Sequence, residues 1–355
     1  MRAILKKSAA PGAEIDDTET PTVRDDEILV SPIMTSICGT DVHLWRFDEW
    51  ARTRMKRFPV ILGHELAGKV VDVGRSVRSF EIGDLVSSET HVYDGTCYQC
   101  RIGRRHLCQN LKIVGIDRNG VFAEYVAIPE RNAWKNDPEL PAEIMSIQEP
   151  LGNAVHVALP QDNVEDMAGT TVAVLGCGPV GLMSIAVAKA LGASHVIATE
   201  LDNPIRLQLA ERMGADMVLN VEEEGLDVLK TIRDATDGSG VDVVFEMTGS
   251  TVALRQGLEM LTPGGRISLL GIYRREVALD VNDLLIFKGA RVFGIFGRRI
   301  FETWYQMRGL LRNPGFRRKI SLVISKKMSI SRFEEAIRLL ENRQAAKVAL
   351  EPKWT

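Results

Sequence analysis

From Ala168 to Ala188 the chain carries no charged residue, a span that by length and apolarity alone would suit a membrane-crossing helix. Four glycines and a proline interrupt it, at Gly169, Gly176, Gly178, Pro179 and Gly181, and they fall where a strand would turn into a helix. The run is therefore read as a buried strand, Val172 to Leu175, a tight turn, Gly176-Cys177-Gly178-Pro179-Val180-Gly181, and an apolar helix. That order gives the pattern G-x-G-x-x-G the context its mechanism needs: glycines allow the turn and let a pyrophosphate approach backbone N–H groups at the positive end of the helix. Glu200 ends the next apolar strand, 19 residues after Gly181. A carboxylate there accepts hydrogen bonds from the adenosine ribose hydroxyls and repels a 2′-phosphate, so the nucleotide expected is NAD rather than NADP.

The segments around this turn set the fold class. TVAVLG, HVIATE, ADMVLN, VDVVFEM, RISLLG and ARVFGI read as six strands, spaced by helical stretches such as Gly181 to Leu191 and Pro204 to Met213. This is the alternation of a doubly wound parallel sheet covered on both faces. Up to about Ala158 the chain instead reads as β-rich, with short runs at Glu27 to Val30, Ala67 to Val73 and Phe122 to Ile128 broken by glycine and proline. After Phe296 come a helix over Phe301 to Leu311, a basic stretch from Phe316 to Lys327 read as solvated surface, a helix opened by a Ser331/Glu334 capping box, and a final strand in AKVALEP. A chain of 355 residues exceeds one core, so two domains are expected, β-rich and α/β.

Charge and cysteine usage narrow the function. A net charge of −3 offers no broad attraction to nucleic acid or anionic lipid, which leaves small-molecule chemistry. The apolar run in MRAILKKSAAPG is too short for a secretory signal, so a cytoplasmic location is expected. Five cysteines, three of them clustered, argue for metal binding over disulfides. The stretch Ser36 to Gly68 holds Cys38 among small and polar residues and then Gly63-His64-Glu65. Thiolate, imidazole and carboxylate form a ligand set for a catalytic zinc, which takes three protein ligands and leaves a position open.

CGTDVH and GHE stand in the order and at the separation of the zinc segments of a known family, and the chain resembles the zinc-dependent medium-chain alcohol dehydrogenases nearly end to end. ETH at Glu89 to His91, EPLGNAVH at Glu149 to His156, GCGPVG, LLGI at Leu269 to Ile272 and IFGRRIFETWYQM at Ile295 to Met307 extend the match. DEWA, GNAVH and FETWY are similar to the branch that oxidises L-threonine at C3. The resemblance implies a GroES-like catalytic domain over 1–152, rejoined by 296–355, and a Rossmann domain over 153–295.

It also implies roles. Cys38 and His64 are zinc ligands, with Glu65 and Glu149 as the third and fourth. One thiolate and two carboxylates sum to −3 against a +2 ion, so only one carboxylate is expected to bind tightly during reaction. Thr40 and His43 match the family's proton relay, which Glu149 joins, and His91 sits at the substrate pocket. Arg206 falls at the adenosine end of NAD; Leu270, Gly271, Ile272, Ile295 and Phe296 line the nicotinamide side; Arg298 reaches the cofactor phosphates or the substrate carboxylate.

The expected reaction is oxidation of a secondary alcohol, with zinc lowering the pKa of the hydroxyl and hydride passing to nicotinamide. A second, structural zinc belongs in a lobe where the family has four cysteines; here they are Asp94, Cys97, Cys100 and Cys108, an aspartate replacing the first. A CysCysCysAsp set still suits zinc, with a weaker grip than four thiolates. The assembly implied is a homotetramer. A zinc-dependent polyol or sugar dehydrogenase shares every chemical motif, and a catalytically retired NAD-binding protein is the alternative from another class.

Overall fold

The computed structural model describes residues 1–161 and 167–354, which divide into two compact units, Met1–Pro150 with Ile324–Thr355 and Leu151–Val323. The first unit is built on a seven-stranded sheet in which Ala133–Lys135, Leu85–Ser88, Glu65–Val73, Glu27–Ser36, Lys347–Glu351 and Ile324–Ser329 lie side by side. Val126–Pro129 also pairs with Glu27–Ser36. Ile28, Val30, Leu66, Val70, Val86, Val348 and Leu350 turn inward from these strands into one apolar cluster, closed by Phe122, Phe333 and Ile337. A smaller three-stranded sheet, Glu14–Asp17, Arg2–Lys6 and Val60–Ile61, completes the unit.

The second unit carries the six parallel strands read from the sequence. Their spatial order is Met217–Asn220, His195–Glu200, Thr171–Leu175, Val241–Glu246, Leu261–Leu269 and Arg291–Gly294. In chain order this is 3-2-1-4-5-6, and the direction of winding reverses between Thr171–Leu175 and Val241–Glu246, the switch point where such sheets hold a dinucleotide. Helix Pro179–Ala190 is buried on nearly every face, which accounts for its uncharged sequence. Among the described residues no helix is long and apolar enough to cross a membrane.

Three details differ from the sequence reading. The return to the first unit comes at Ile324, not at 296. Helices Glu302–Leu311 and Pro314–Ser321 stay with the second unit because Trp304, Met307, Leu311, Phe316 and Ile320 are all buried there, the latter helix packing on Pro179–Ala190. The basic stretch is accordingly half core: Phe316, Ile320 and Val323 point inward and only the intervening cations are solvated. Ser331 does not cap a helix; its hydroxyl meets Ser329 Oγ at 2.7 Å within a 3₁₀ turn, and the helix begins at Phe333.

Candidate active site

Strand register assembles the first cluster. Ser36, the last residue of Glu27–Ser36, sits opposite Glu65, the first of Glu65–Val73, and on its other side opposite Ala349 of the final strand. Cys38 therefore leaves its strand beside the point where His64-Glu65 enters theirs. The ligand atoms of Cys38, His64 and Glu65 lie within 4.8 Å of one another. Glu149 stands outside that set; it is buried and accepts a hydrogen bond from Thr90 Oγ1 at 3.3 Å.

Each member is held by a neighbour. Cys38 ends an extended segment at the N-terminus of helix Gly39–Arg46. Asp41, three residues on and fully buried, accepts the Cys38 N–H at 2.8 Å through Oδ2. Its Oδ1 and His64 Nδ1 are both buried without a hydrogen-bond partner and face each other at 3.7 Å. That pairing is the approach of a carboxylate to the outer nitrogen of a metal-binding histidine, which leaves Nε2 for the ion. Glu65 accepts from Ser36 Oγ and from the ammonium of Lys347, the latter at 2.5 Å, with both members of the ion pair buried.

The electrostatics test whether a metal fits. Burial pulls the His64 pKa down, but Asp41 and Cys38, with Glu149 behind them, raise it to about 10. Lys347 behaves alike: burial lowers its pKa, yet Glu65, Cys38 and Glu149 carry it above the usual lysine value. The field at this cluster thus stabilises positive charge on buried nitrogen, and a thiolate, an imidazole and a carboxylate are donors that zinc accepts. The cluster fits a zinc ion.

Sequence reasoning missed Lys347 and gave Asp41 no role. The signal for Lys347 was present, a lone cation in the apolar strand AKVAL. Its charge alters the earlier count: Lys347 offsets Glu65, so the ligand sum alone no longer requires one carboxylate to be excluded.

Thr40 and His43 lie on the same face of helix Gly39–Arg46, three residues apart and half-exposed. His91 is buried in the two-residue strand His91–Val92, its carbonyl accepting from Asn132 Nδ2 at 2.9 Å.

The lobe brings Asp94, Cys97, Cys100 and Cys108 together with ligand atoms within 4.8 Å. Asp94 Oδ1 accepts the N–H groups of Thr96 at 2.8 Å and Cys97 at 3.0 Å, and Oδ2 accepts from Asn110 Nδ2 at 2.6 Å. Those bonds, Asn110 first, hold its carboxyl well below the usual range. Burial pushes the Cys100 thiol up to about 12, with the neighbouring sulfurs of Cys97 and Cys108 adding to the rise. Three sulfurs and an ionised carboxylate converging on one point suit a tetrahedral zinc. Asn110 is a partner the sequence reading did not name.

In the second unit each glycine of the turn has its own cause. Gly176 adopts φ +94°, and a Cβ at Gly181 would stand 2.0 Å from the Gly176 carbonyl oxygen. A Cβ at Gly178 would meet no protein atom within 4 Å. Packing demands the first and third glycines, whereas the second keeps a backbone surface bare for a ligand. Glu200 is fixed by the N–H groups of Cys177 at 2.8 Å and Leu201 at 3.0 Å, with Arg206 Nη1 at 3.5 Å. Its carboxylate is thus tied to the phosphate turn itself.

Leu270 and Gly271 both donate backbone N–H bonds to the Glu246 carbonyl, and Ile295 donates to Leu269 O at 2.9 Å, so Leu270, Gly271, Ile272, Ile295 and Phe296 gather past the carboxyl ends of adjacent strands. Arg298 is buried in this unit, with Nη1 3.2 Å from Asn153 Oδ1. A bare phosphate turn and a carboxylate at the second strand end fit a dinucleotide.

A sheet-built unit with a zinc ligand set and a doubly wound unit with a dinucleotide turn define a class, the metal-assisted dehydrogenases. Residues 24–140 match the alcohol dehydrogenase GroES-like domain and 179–313 the zinc-binding dehydrogenase domain, and the chain belongs to this zinc-binding alcohol dehydrogenase family. It is similar to the L-threonine 3-dehydrogenase of Pyrococcus abyssi, at 47% identity over 98% of this chain and 97% of that one. It is also similar to the protein of the same name from Bacillus licheniformis, at 44% identity over 99% of both. Among solved structures it resembles 2R,3R-butanediol dehydrogenase from Bacillus subtilis, with a TM-score of 0.86 and 28% identity over 99% of each chain.

Proposed function

We propose that this protein oxidises the C3 hydroxyl of L-threonine to 2-amino-3-oxobutanoate, with NAD as hydride acceptor and zinc as the catalytic metal. The observation that carries the substrate is the near-complete match, at 42 to 47% identity, to eight relatives all named for that reaction, against 28% for the butanediol enzyme.

Bound zinc supplies a Lewis acid that lowers the pKa of a substrate hydroxyl, and bound NAD supplies the hydride acceptor. The chain's own residues do the rest. Cys38, His64 and Glu65 are assigned to the catalytic zinc, with Asp41 orienting His64 and Lys347 offsetting the charge of Glu65; Glu149, outside that cluster, is assigned as the fourth ligand on the family resemblance alone. Thr40 passes the proton of the hydroxyl toward His43, the exit to solvent, and Glu149 borders the same path. His91 is assigned to substrate selection. Gly176, Gly178, Val180 and Gly181 cradle the pyrophosphate; Glu200, with Arg206 beside it, takes the adenosine ribose; Leu270, Gly271, Ile272, Ile295 and Phe296 line the nicotinamide. Asp94, Cys97, Cys100 and Cys108 are assigned to a structural zinc.

None of the five cysteines is in a disulfide, which suits the reducing cytoplasm. Strand Arg291–Gly294 is a sheet edge with Val292 exposed and Phe287 exposed nearby, a surface that supports assembly into the tetramer usual for the family.

The deciding experiment is NADH production with zinc-loaded protein across L-threonine, sorbitol, glucose and butane-2,3-diol. Threonine is expected to give the highest kcat/KM. Faster turnover of a polyol would move the protein to the polyol branch, and no turnover of any alcohol would end the enzyme assignment.

A further inference from the structure

His43 is held from outside its own helix. Its Nδ1 lies 2.5 Å from Asp48 Oδ2, and the Trp50 ring stands 5.8 Å from the imidazole, tilted by 56°. The turn that makes this possible is Phe47, a left-handed residue at φ +51° that ends helix Gly39–Arg46 and brings the chain back against it. Asp48 is itself immobilised, because Oδ1 accepts the Ala51 N–H at 3.1 Å and so caps helix Glu49–Arg54. One carboxylate therefore starts a helix with one oxygen and grips an imidazole with the other.

Glu49 is exposed at the start of the second helix, and the remaining charges on the two helices are engaged elsewhere. Arg46 pairs with Glu341, Arg52 donates to the Phe47 carbonyl, Arg54 forks onto Asp117, and Asp41 turns inward to the Cys38 N–H. Asp48 is the charged group that meets His43 among the described residues.

We propose that Asp48 is a positioning residue for proton exit: it accepts the Nδ1–H of His43 and so presents Nε2 as the nitrogen that takes the proton, while Trp50 sets the plane of the ring. This rests on the assignment of Thr40 and His43 as the relay. The proton from the substrate hydroxyl arrives at Nε2, the imidazolium carries its charge opposite the Asp48 carboxylate, and Nε2 then hands one proton to water. The ring returns to its starting tautomer, so nothing is consumed. Asp48 and Trp50 both belong to DEWA, the segment that marks the threonine-oxidising branch; in this protein the segment contributes to the proton path.

Asp48→Ser keeps a good helix N-cap but is too short to reach the imidazole, and Asp48→Asn keeps the length without the charge. The measurement is the ring ¹⁵N–¹H spectrum, in which six histidines are resolved and His43 is assigned by its loss in His43→Gln. Parent protein is expected to show His43 as the Nδ1–H tautomer and Asp48→Ser a mixture of both. In both Asp48 variants kcat for threonine oxidation is expected to fall about tenfold, less than the roughly 10²- to 10⁴-fold contributed by a proton-transfer group itself because His43 is still present, with NAD affinity and zinc content unchanged. Parental tautomer and kcat in Asp48→Ser, alongside an impaired His43→Gln, would overturn the inference and leave the relay standing. Parental kcat in His43→Gln would overturn the relay itself. Loss of zinc or of melting temperature in both Asp48 variants, matching the loss of kcat, would make Asp48 a structural residue and also overturn the inference.

Discussion

The two candidate metal-ligand clusters of the first unit are built on opposite plans. Cys38, His64 and Glu65 are drawn from two strand ends and a helix start, and their supports come from as far away as Lys347. Asp94, Cys97, Cys100 and Cys108, together with Asn110, all lie within one lobe of seventeen residues, and their supports are backbone N–H groups a few positions along. The first cluster is set into the packed core of its unit, with His64 and Glu65 buried. The second is closed locally, by its own turn, by the pairing of His91–Val92 with Lys112–Ile113 and, on the proposed assignment, by an ion.

The contrast breaks most visibly at the ligands. Cys38→Ser or His64→Ala is expected to cost at least roughly 10³-fold in kcat/KM, the equivalent of about 4 kcal/mol of lost Lewis-acid assistance. Cys97→Ser in the lobe should leave kcat/KM within a few-fold of the parent; equal losses at the two sites would erase the distinction.

Lys347→Met probes the remote support. It strands the buried Glu65 charge, and urea unfolding monitored by tryptophan fluorescence is expected to register about 3 kcal/mol of destabilisation. An unchanged midpoint would mean that the pair contributes nothing to stability.

Metal removal sharpens the comparison further. Stepwise chelation with metal analysis should release the lobe ion first, with activity surviving until the second ion leaves; the reverse order would contradict the account of a lobe closed locally. The smallest effect is expected at Asn110→Ala, which removes one hydrogen bond to Asp94 and should weaken lobe zinc binding about tenfold in a competition titration, without change in activity.

The same contrast governs how much the sequence disclosed. The six-strand unit was legible because its signals are local: apolar strands, the glycine turn and Glu200 follow one another at short range. The lobe was legible for the same reason. What stayed hidden were partners fixed by long-range register. Nothing near Lys347 says that its strand lies beside Ser36, and nothing near Asp41 says that its carboxylate faces His64. The return point at Ile324 was likewise obscured, because the burial of Phe316 and Ile320 is a tertiary fact that a basic composition conceals.

The ladder that places Ala349 beside Ser36 has a consequence for biosynthesis. Every proposed zinc ligand leaves the ribosome long before Lys347 does, so a growing chain already holds the thiolate, imidazole and carboxylates while the cation that balances Glu65 is still missing. Domains tend to form as they emerge, and here the reactive centre gains its final counter-charge only when the terminal strand is laid into a sheet whose other members are already waiting. Strand insertion thus completes the charge balance of Glu65 only at the end of synthesis.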